Sequence, residues 1–281
     1  MTSTTSAEPS RRYRWRIGPR KIPPGMVSFL GVLALMFVVS SATTILWCTS
    51  MSAMGGMPMP GGWTMSMAWM PMPGQTWLGA AASFLGMWTV MMVPMMLPSF
   101  LPMLLRYRQA IARRGATRLG RLTVLVGMGY FFVWTLFGAA TFALGVALAA
   151  LEMQLPMVAR AVPILVGIVI LAAGLLQFTA WKARLLAWCR EAPGRDCELP
   201  ADARTAWRHG LRLGLNCCYC CAGLMAILLA IGVMDLRVMT IVTVAIAVER
   251  FPRAGEHVAR AIGVVVVGSG LFLIARAAGL G

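Results

Sequence analysis

The chain has 281 residues, 59% of them hydrophobic and only 12% charged, with a formal net charge of +16. Soluble domains carry about 25% charged residues, so this composition excludes an ordinary soluble protein and points to one embedded in lipid. Nine acids and two histidines leave little for carboxylate or histidine catalysis, and no phosphate-cradling glycine loop, hydrolase serine elbow or zinc-protease motif is present.

In chain order, residues 1–25 carry Arg11, Arg12, Arg14, Arg16, Arg20 and Lys21 and read as a disordered basic cytoplasmic tail. The remainder, 26–281, reads as a single transmembrane domain. Residues 27–47 are an apolar run too long for a signal-peptide core, which predicts an uncleaved anchor. Segment 48–76, CTSMSAMGGMPMPGGWTMSMAWMPMPGQT, holds no Lys or Arg but eight methionines: Met51, Met54, Met57, Met59, Met65, Met67, Met70 and Met72. Its Gly and Pro content argues against a long helix, so a helical core stripe does not account for them all. Two readings stay open. The loop lies on the bilayer interface, anchored by Trp63, Trp69 and Trp77; or its closely spaced thioethers, which are soft ligands, capture Cu(I).

The second span, 77–105, contains MWTVMMVPMMLPSFLPM at 87–103, with six methionines and three prolines in seventeen residues. On a helix Met87, Met91 and Met95 share a row, and Met92 and Met96 form a second one beside Trp88. Pro94, Pro98 and Pro102 each remove a backbone donor and push toward a kink, which lipid tolerates only where protein or a cavity satisfies the freed carbonyls. This helix is therefore expected to face the protein interior. A third span covers 122–151 and a fourth 161–181, with Gln177 near its inner end. Basic loops cover 106–121 and 182–208. The fifth span, 210–234, carries NCCYCC at 216–221; the sixth, 238–248, is short and closes on Glu249 and Arg250; the last is 258–274.

With the N-terminus inside, 22 of the 25 basic residues fall on the inner side and only Arg160, Arg237 and Arg276 on the outer. That bias predicts about seven transmembrane helices in an all-α polytopic bundle, N-terminus in and C-terminus out. His209 and His257 then sit at the inner interface and are expected to be solvated. Cys217, Cys220 and Cys221 share one helix face at i, i+3, i+4, with Cys218 aside. Packing explains one or two buried cysteines, not four in five positions. The nested CxxC spacings raise a thiol redox centre, but a regular helix does not bring such cysteines into easy disulfide geometry. Thiolates with thioethers, and almost no histidine, favour Cu(I) over zinc. Met91 and Met95 should approach the cysteine face at similar depth. Gln177 and Glu249 end their spans on the same side and are possible supporting polar groups, Glu249 alternatively pairing with Arg250 or Arg253.

The chain resembles the bacterial predicted metal-binding integral membrane proteins over residues 63–275. The resemblance rests on 87–103, YFFVW at 130–134, QFTAWK at 177–182 with Cys189-Arg190, GLRLGLNCCYCCAGLM at 210–225, and Glu249. It implies Met91, Met92, Met95, Met96, Cys217, Cys220 and Cys221 as metal ligands. Some members of that family are implicated in copper delivery to copper oxidases such as polyphenol oxidases. Two departures stand out. Leu185 occupies the place of a second cysteine before Cys189, which argues against a metal role for Cys189, and Tyr219 and Ala222 replace the usual Gly and Trp. The expectation is a copper-handling, non-enzymatic protein of the bacterial inner membrane. Its partners would be membrane lipid and a periplasmic copper protein or copper oxidase, not nucleic acid. The alternatives are a membrane thiol oxidoreductase or a structural subunit of a membrane complex.

Overall fold

The computed structural model describes residues 24–53, 55–113, 115, 117–191, 202–250 and 255–279. Among them are eight α-helices: α1 (Pro24–Ala53), α2 (Trp77–Arg113), α3 (Leu119–Gln154), α4 (Pro156–Leu176), α5 (Ala180–Glu191), α6 (Ala203–Ile231), α7 (Leu236–Glu249) and α8 (Gly255–Ala277). The expected basic tail, apart from its last two residues, and Met54 lie outside the described residues. The chain divides into two units. The first, through Met36, holds the opening part of α1, and the second, from Phe37, holds everything that follows.

Six helices (α1, α2, α3, α4, α6 and α8) are long and apolar enough to cross a bilayer, so the protein is a multi-pass membrane protein. The all-α polytopic bundle expected from composition is the one observed. The segment expected to be short is α7, whose 14 residues rise only about 21 Å against a hydrocarbon core of about 30 Å. The lipid-type inversion of burial is visible on α1 beyond Met36. Ser40, Thr44 and Cys48 are buried at i, i+4, i+8, while Val38, Val39, Ile45 and Leu46 are exposed.

Several boundaries differ from the sequence expectation: α2 runs on to Arg113 rather than ending at 105, and α6 spans Ala203–Ile231 rather than 210–234. The first span runs on to Ala53, so Met51 is helical. The methionine segment then folds into an antiparallel hairpin, β1 (Met57–Met59) with β2 (Trp63–Met65), pairing Met57 with Met65 and Met59 with Trp63. The fourth span stops at Leu176 rather than at 181. The backbone tightens to i→i−3 bonds at Gln177, Phe178 and Thr179, and the Thr179 hydroxyl accepts from the Lys182 amide to start α5. The expected loop 182–208 is therefore helical at both ends, because Asp202 caps α6 through the Thr205 amide at 2.7 Å.

Small residues set the close helix contacts. Gly210 and Gly214 on α6 form a GxxxG seam on α3: a Cβ on Gly210 would strike the Val126 carbonyl, and one on Gly214 would lie 2.9 Å from the Tyr130 carbonyl. Gly129 of α3 closes the same seam, its Cβ position 2.7 Å from the Trp207 carbonyl. A second seam joins α4 and α8 through Gly167, Gly174 and Gly270. Helix α2 passes through Pro94, Pro98 and Pro102 as one 37-residue helix and buries Met91, Met92, Met95 and Met96. Its Trp88 is fully buried and donates from Nε1 to the Trp134 carbonyl of α3 at 2.9 Å.

Candidate metal centre

The α3–α6 seam brings a phenol to a thiol. Continuing from Gly210 and Gly214, the same face of α6 presents Cys217 and Cys221, both buried. Their sulfurs are 3.9 Å apart, and the Tyr130 hydroxyl donates to Cys217 Sγ at 2.9 Å. Phe100 of α2 stacks on Tyr130 with ring centroids 4.1 Å apart, which fixes the phenol and links the methionine helix to the thiols. From the C-terminal cap of α7, Arg250 Nη2 donates to Cys217 Sγ at 2.9 Å and to Cys221 Sγ at 3.4 Å. Two metal–thiolate bonds of about 2.3 Å hold their sulfurs about 3.8 Å apart in tetrahedral geometry, so this pair is spaced to share one soft ion.

Beyond the pair the thiols continue as a chain. Cys220 of α6 and Cys189 of α5 influence one another's protonation. Cys189, argued against by the missing cysteine at Leu185, is buried in this cluster. The Cys220 side chain holds the Cys189 thiol below its usual value; burial opposes this and the Arg250 charge assists it. Cys218 is half-buried and lies aside, as the helical spacing requires. Among the described residues no three His, Cys, Asp or Glu side chains converge as a metal-holding group. A metal here would take two thiols at a time.

Beside the thiols lies a buried polar knot. Lys182 Nζ sits 2.8 Å from Glu249 Oε2 and donates to the Cys220 carbonyl at 2.7 Å, while Gln177 Nε2 donates to Glu249 Oε1 at 2.8 Å. The end of α4, α5, α6 and α7 are thus tied at one point. Burial alone would lower the Lys182 pKa, but the Glu249 carboxylate outweighs it and holds the ammonium above its ordinary value. Glu249 therefore meets Gln177 as expected, but among the described residues its ion-pair partner is Lys182; Arg250 turns to the sulfurs instead.

The methionines of segment 48–76 separate into two groups. Met51, Met67, Met70 and Met72 line one pocket, together with two methionines outside the expected set, Met87 of α2 and Met234 of the α6–α7 turn. Met57 and Met59 are half-exposed on the hairpin, and Met65 is buried. Trp63 and Trp69 are half-buried. Trp63 Nε1 donates to the Ala159 carbonyl at 2.8 Å, and the Trp69 ring lies over Gly145 and Phe84. Trp77 is exposed. The double row of α2 lies between pocket and thiols in sequence: Met87 lines the pocket, Met91, Met92, Met95 and Met96 follow, and Phe100 reaches Tyr130. Helices α2 and α6 both pack against α3 and α7. His209, expected to be solvated, is stacked on Tyr107 with centroids 5.2 Å apart, and its Nε2 is buried; His257 is exposed.

Sequence reasoning missed Tyr130, Lys182, Arg250, Met87 and Met234. The GxxxG spacing at Gly210 and Gly214 was the available signal for Tyr130, since it places α6 against whatever α3 offers at that level. A lysine and an arginine within a few residues of apolar spans were signals of the same kind as Glu249.

The family described as PpoB2, copper chaperone, matches residues 85–273, which is 189 of the 281 residues and includes α2 from Leu85 onward, the cysteine face and Glu249. No curated protein and no solved structure matches the chain. The chain belongs to the PpoB2 copper chaperone family.

Proposed function

We propose that this protein captures Cu(I) in the outer methionine pocket and holds it at the Cys217–Cys221 pair for delivery to a partner. The observation that carries this reading is the buried thiol pair, 3.9 Å apart between Tyr130 and Arg250. Thiolate and thioether sulfur are the ligand types that select Cu(I). Loading the pair forms two Cu–S bonds, and each proton that the two sulfurs still carry leaves as its sulfur binds. The pocket works differently: its thioethers are neutral, bind without losing a proton and release readily. Met91, Met92, Met95 and Met96 would carry the ion along α2 between the two. The protein is then a carrier rather than an enzyme. Its place is the bacterial inner membrane, N-terminus in and methionine hairpin out, with a periplasmic copper protein or copper oxidase as partner.

The test uses the full chain in detergent under anaerobic, reducing conditions. Cys217→Ser with Cys221→Ser should lose the copper that survives gel filtration, at every supply. Changing Met67, Met70 and Met72 to Leu keeps the apolar surface and should leave that retained copper in place but slow its loading at limiting copper. Undiminished copper in the double serine variant would sink the thiol site, and equal loading rates would remove the capture role.

A further inference from the structure

Arg250 is an odd neighbour for a site that must accept a cation. Its Nη2 rests on both sulfurs of the pair, at 2.9 and 3.4 Å. Among the described residues its Nε and Nη1 are buried without a hydrogen-bond partner, and no carboxylate forms an ion pair with it. A guanidinium is permanently charged, and leaving it buried and uncompensated is strongly unfavourable. Its counter-charge must come from the sulfurs it touches.

We propose that Arg250 is the specificity-determining residue of the thiol pair: its fixed positive charge makes the site balance for a monovalent soft cation and not for a divalent one. The inference rests on the Cu(I) reading above. Two thiolates carry two negative charges, and Arg250 cancels one of them. A bound Cu(I) cancels the other, leaving a neutral centre in the protein interior. Zn²⁺ bound to the same two thiolates leaves one net positive charge buried at low dielectric, which is unfavourable by the same argument. Without Arg250 the balance reverses, because bis-thiolate Zn²⁺ is then neutral and bis-thiolate Cu(I) is negative. Ligand softness alone sets no such condition on valence, so the arginine adds a second filter on charge.

The experiment measures Cu(I) and Zn²⁺ bound per chain when purified full-length protein is offered both, with competing chelators setting the free concentrations. The thiolate-to-copper absorption band reports occupancy of the pair itself. Wild type should prefer Cu(I). In Arg250→Gln the ratio of Cu(I) to Zn²⁺ at the pair should fall by about 10- to 100-fold, the range for losing a partner of a metal ligand. Arg250→Lys keeps the charge while losing the planar fork, and should retain most of the preference. A wild-type ratio in folded Arg250→Gln overturns the proposal. So does a folded Arg250→Lys that has lost its preference, whether or not the glutamine variant folds. The broader reading fails separately: wild type that takes no Cu(I) at the pair, with no thiolate band, refutes the copper site before selectivity arises.

Discussion

Replacing Lys182 with Met tests whether the polar knot holds the thiol site together. The perturbation removes one partner of a pair whose side chains are 6% and 2% exposed, and it also takes a donor from the Cys220 carbonyl. Exposure decides the magnitude. A surface pair contributes about 0–1 kcal/mol, but breaking a buried one leaves its partner's charge stranded and costs about 3–5 kcal/mol. For a chain of this size that is on the order of 10 °C in midpoint, at about 2–4 °C per kcal/mol. The buried thiols Cys189, Cys217, Cys220 and Cys221 provide the assay, since a thiol-reactive fluorophore labels them only as the helices separate on heating. The control is the double variant Lys182→Met with Glu249→Gln. The amide removes the stranded charge and keeps a carbonyl oxygen for Gln177, so it should recover at least about half of the loss. A single variant melting within about 2 °C of wild type, or a double variant no better than the single, would refute the argument that this pair is in the buried regime.

Two further outcomes follow from the architecture. Reporter fusions at Gly61, in the hairpin turn, and Gly115, in the turn after α2, should lie on opposite sides of the membrane; the same side for both would overturn the topology drawn from the basic bias. Gly210→Ala puts a methyl group into the Val126 carbonyl and should destabilise by about 1–3 kcal/mol, as overpacking does. Because this seam places Cys217 under Tyr130, the variant should also release copper faster than wild type in a chelator chase, and an unchanged release rate would separate the seam from the site.

Helix existence was legible because membrane spans announce themselves by length and hydropathy, as α2, α3, α6 and α8 did. Ends were less so. The break at Gln177–Thr179 depends on a threonine hydroxyl reaching the Lys182 amide, a capping choice that an apolar run does not reveal. On the site, sequence spacing correctly put Cys217, Cys220 and Cys221 on one face, because all three are on one helix. What it did not reach were contacts between helices. Arg250 is 29 residues from Cys221, and Tyr130 is 87 from Cys217; only the GxxxG spacing, which sets α6 against α3, bears on the second. For Glu249 the sequence left open a supporting polar role or a pairing with Arg250 or Arg253, and Arg253 lies outside the described residues. Adjacent residues on a helix point about 100° apart, so the acid turned to Lys182 and the arginine to the sulfurs.

The two sulfur sites differ in charge for a reason that follows from where they sit. In the outer pocket Met72 is 41% exposed, so an ion held there by neutral thioethers keeps its positive charge near water. The pair at Cys217 and Cys221 has no such access, with sulfurs flanked by a buried phenol and a guanidinium. A cation moved there with neutral ligands would add its charge to that of Arg250 in a low-dielectric interior. Thiols avoid this by giving up protons as the metal arrives, so the charge that enters is offset by the charge that leaves. Under the proposed reading, thioethers at the rim and thiols in the interior are therefore not interchangeable soft ligands. The thioethers take the ion from a wet surface without proton movement, and the thiols let it rest where water does not reach. Return from pair to pocket requires the protons released on loading to be taken back, so the step inward is the favoured one until a partner supplies competing ligands.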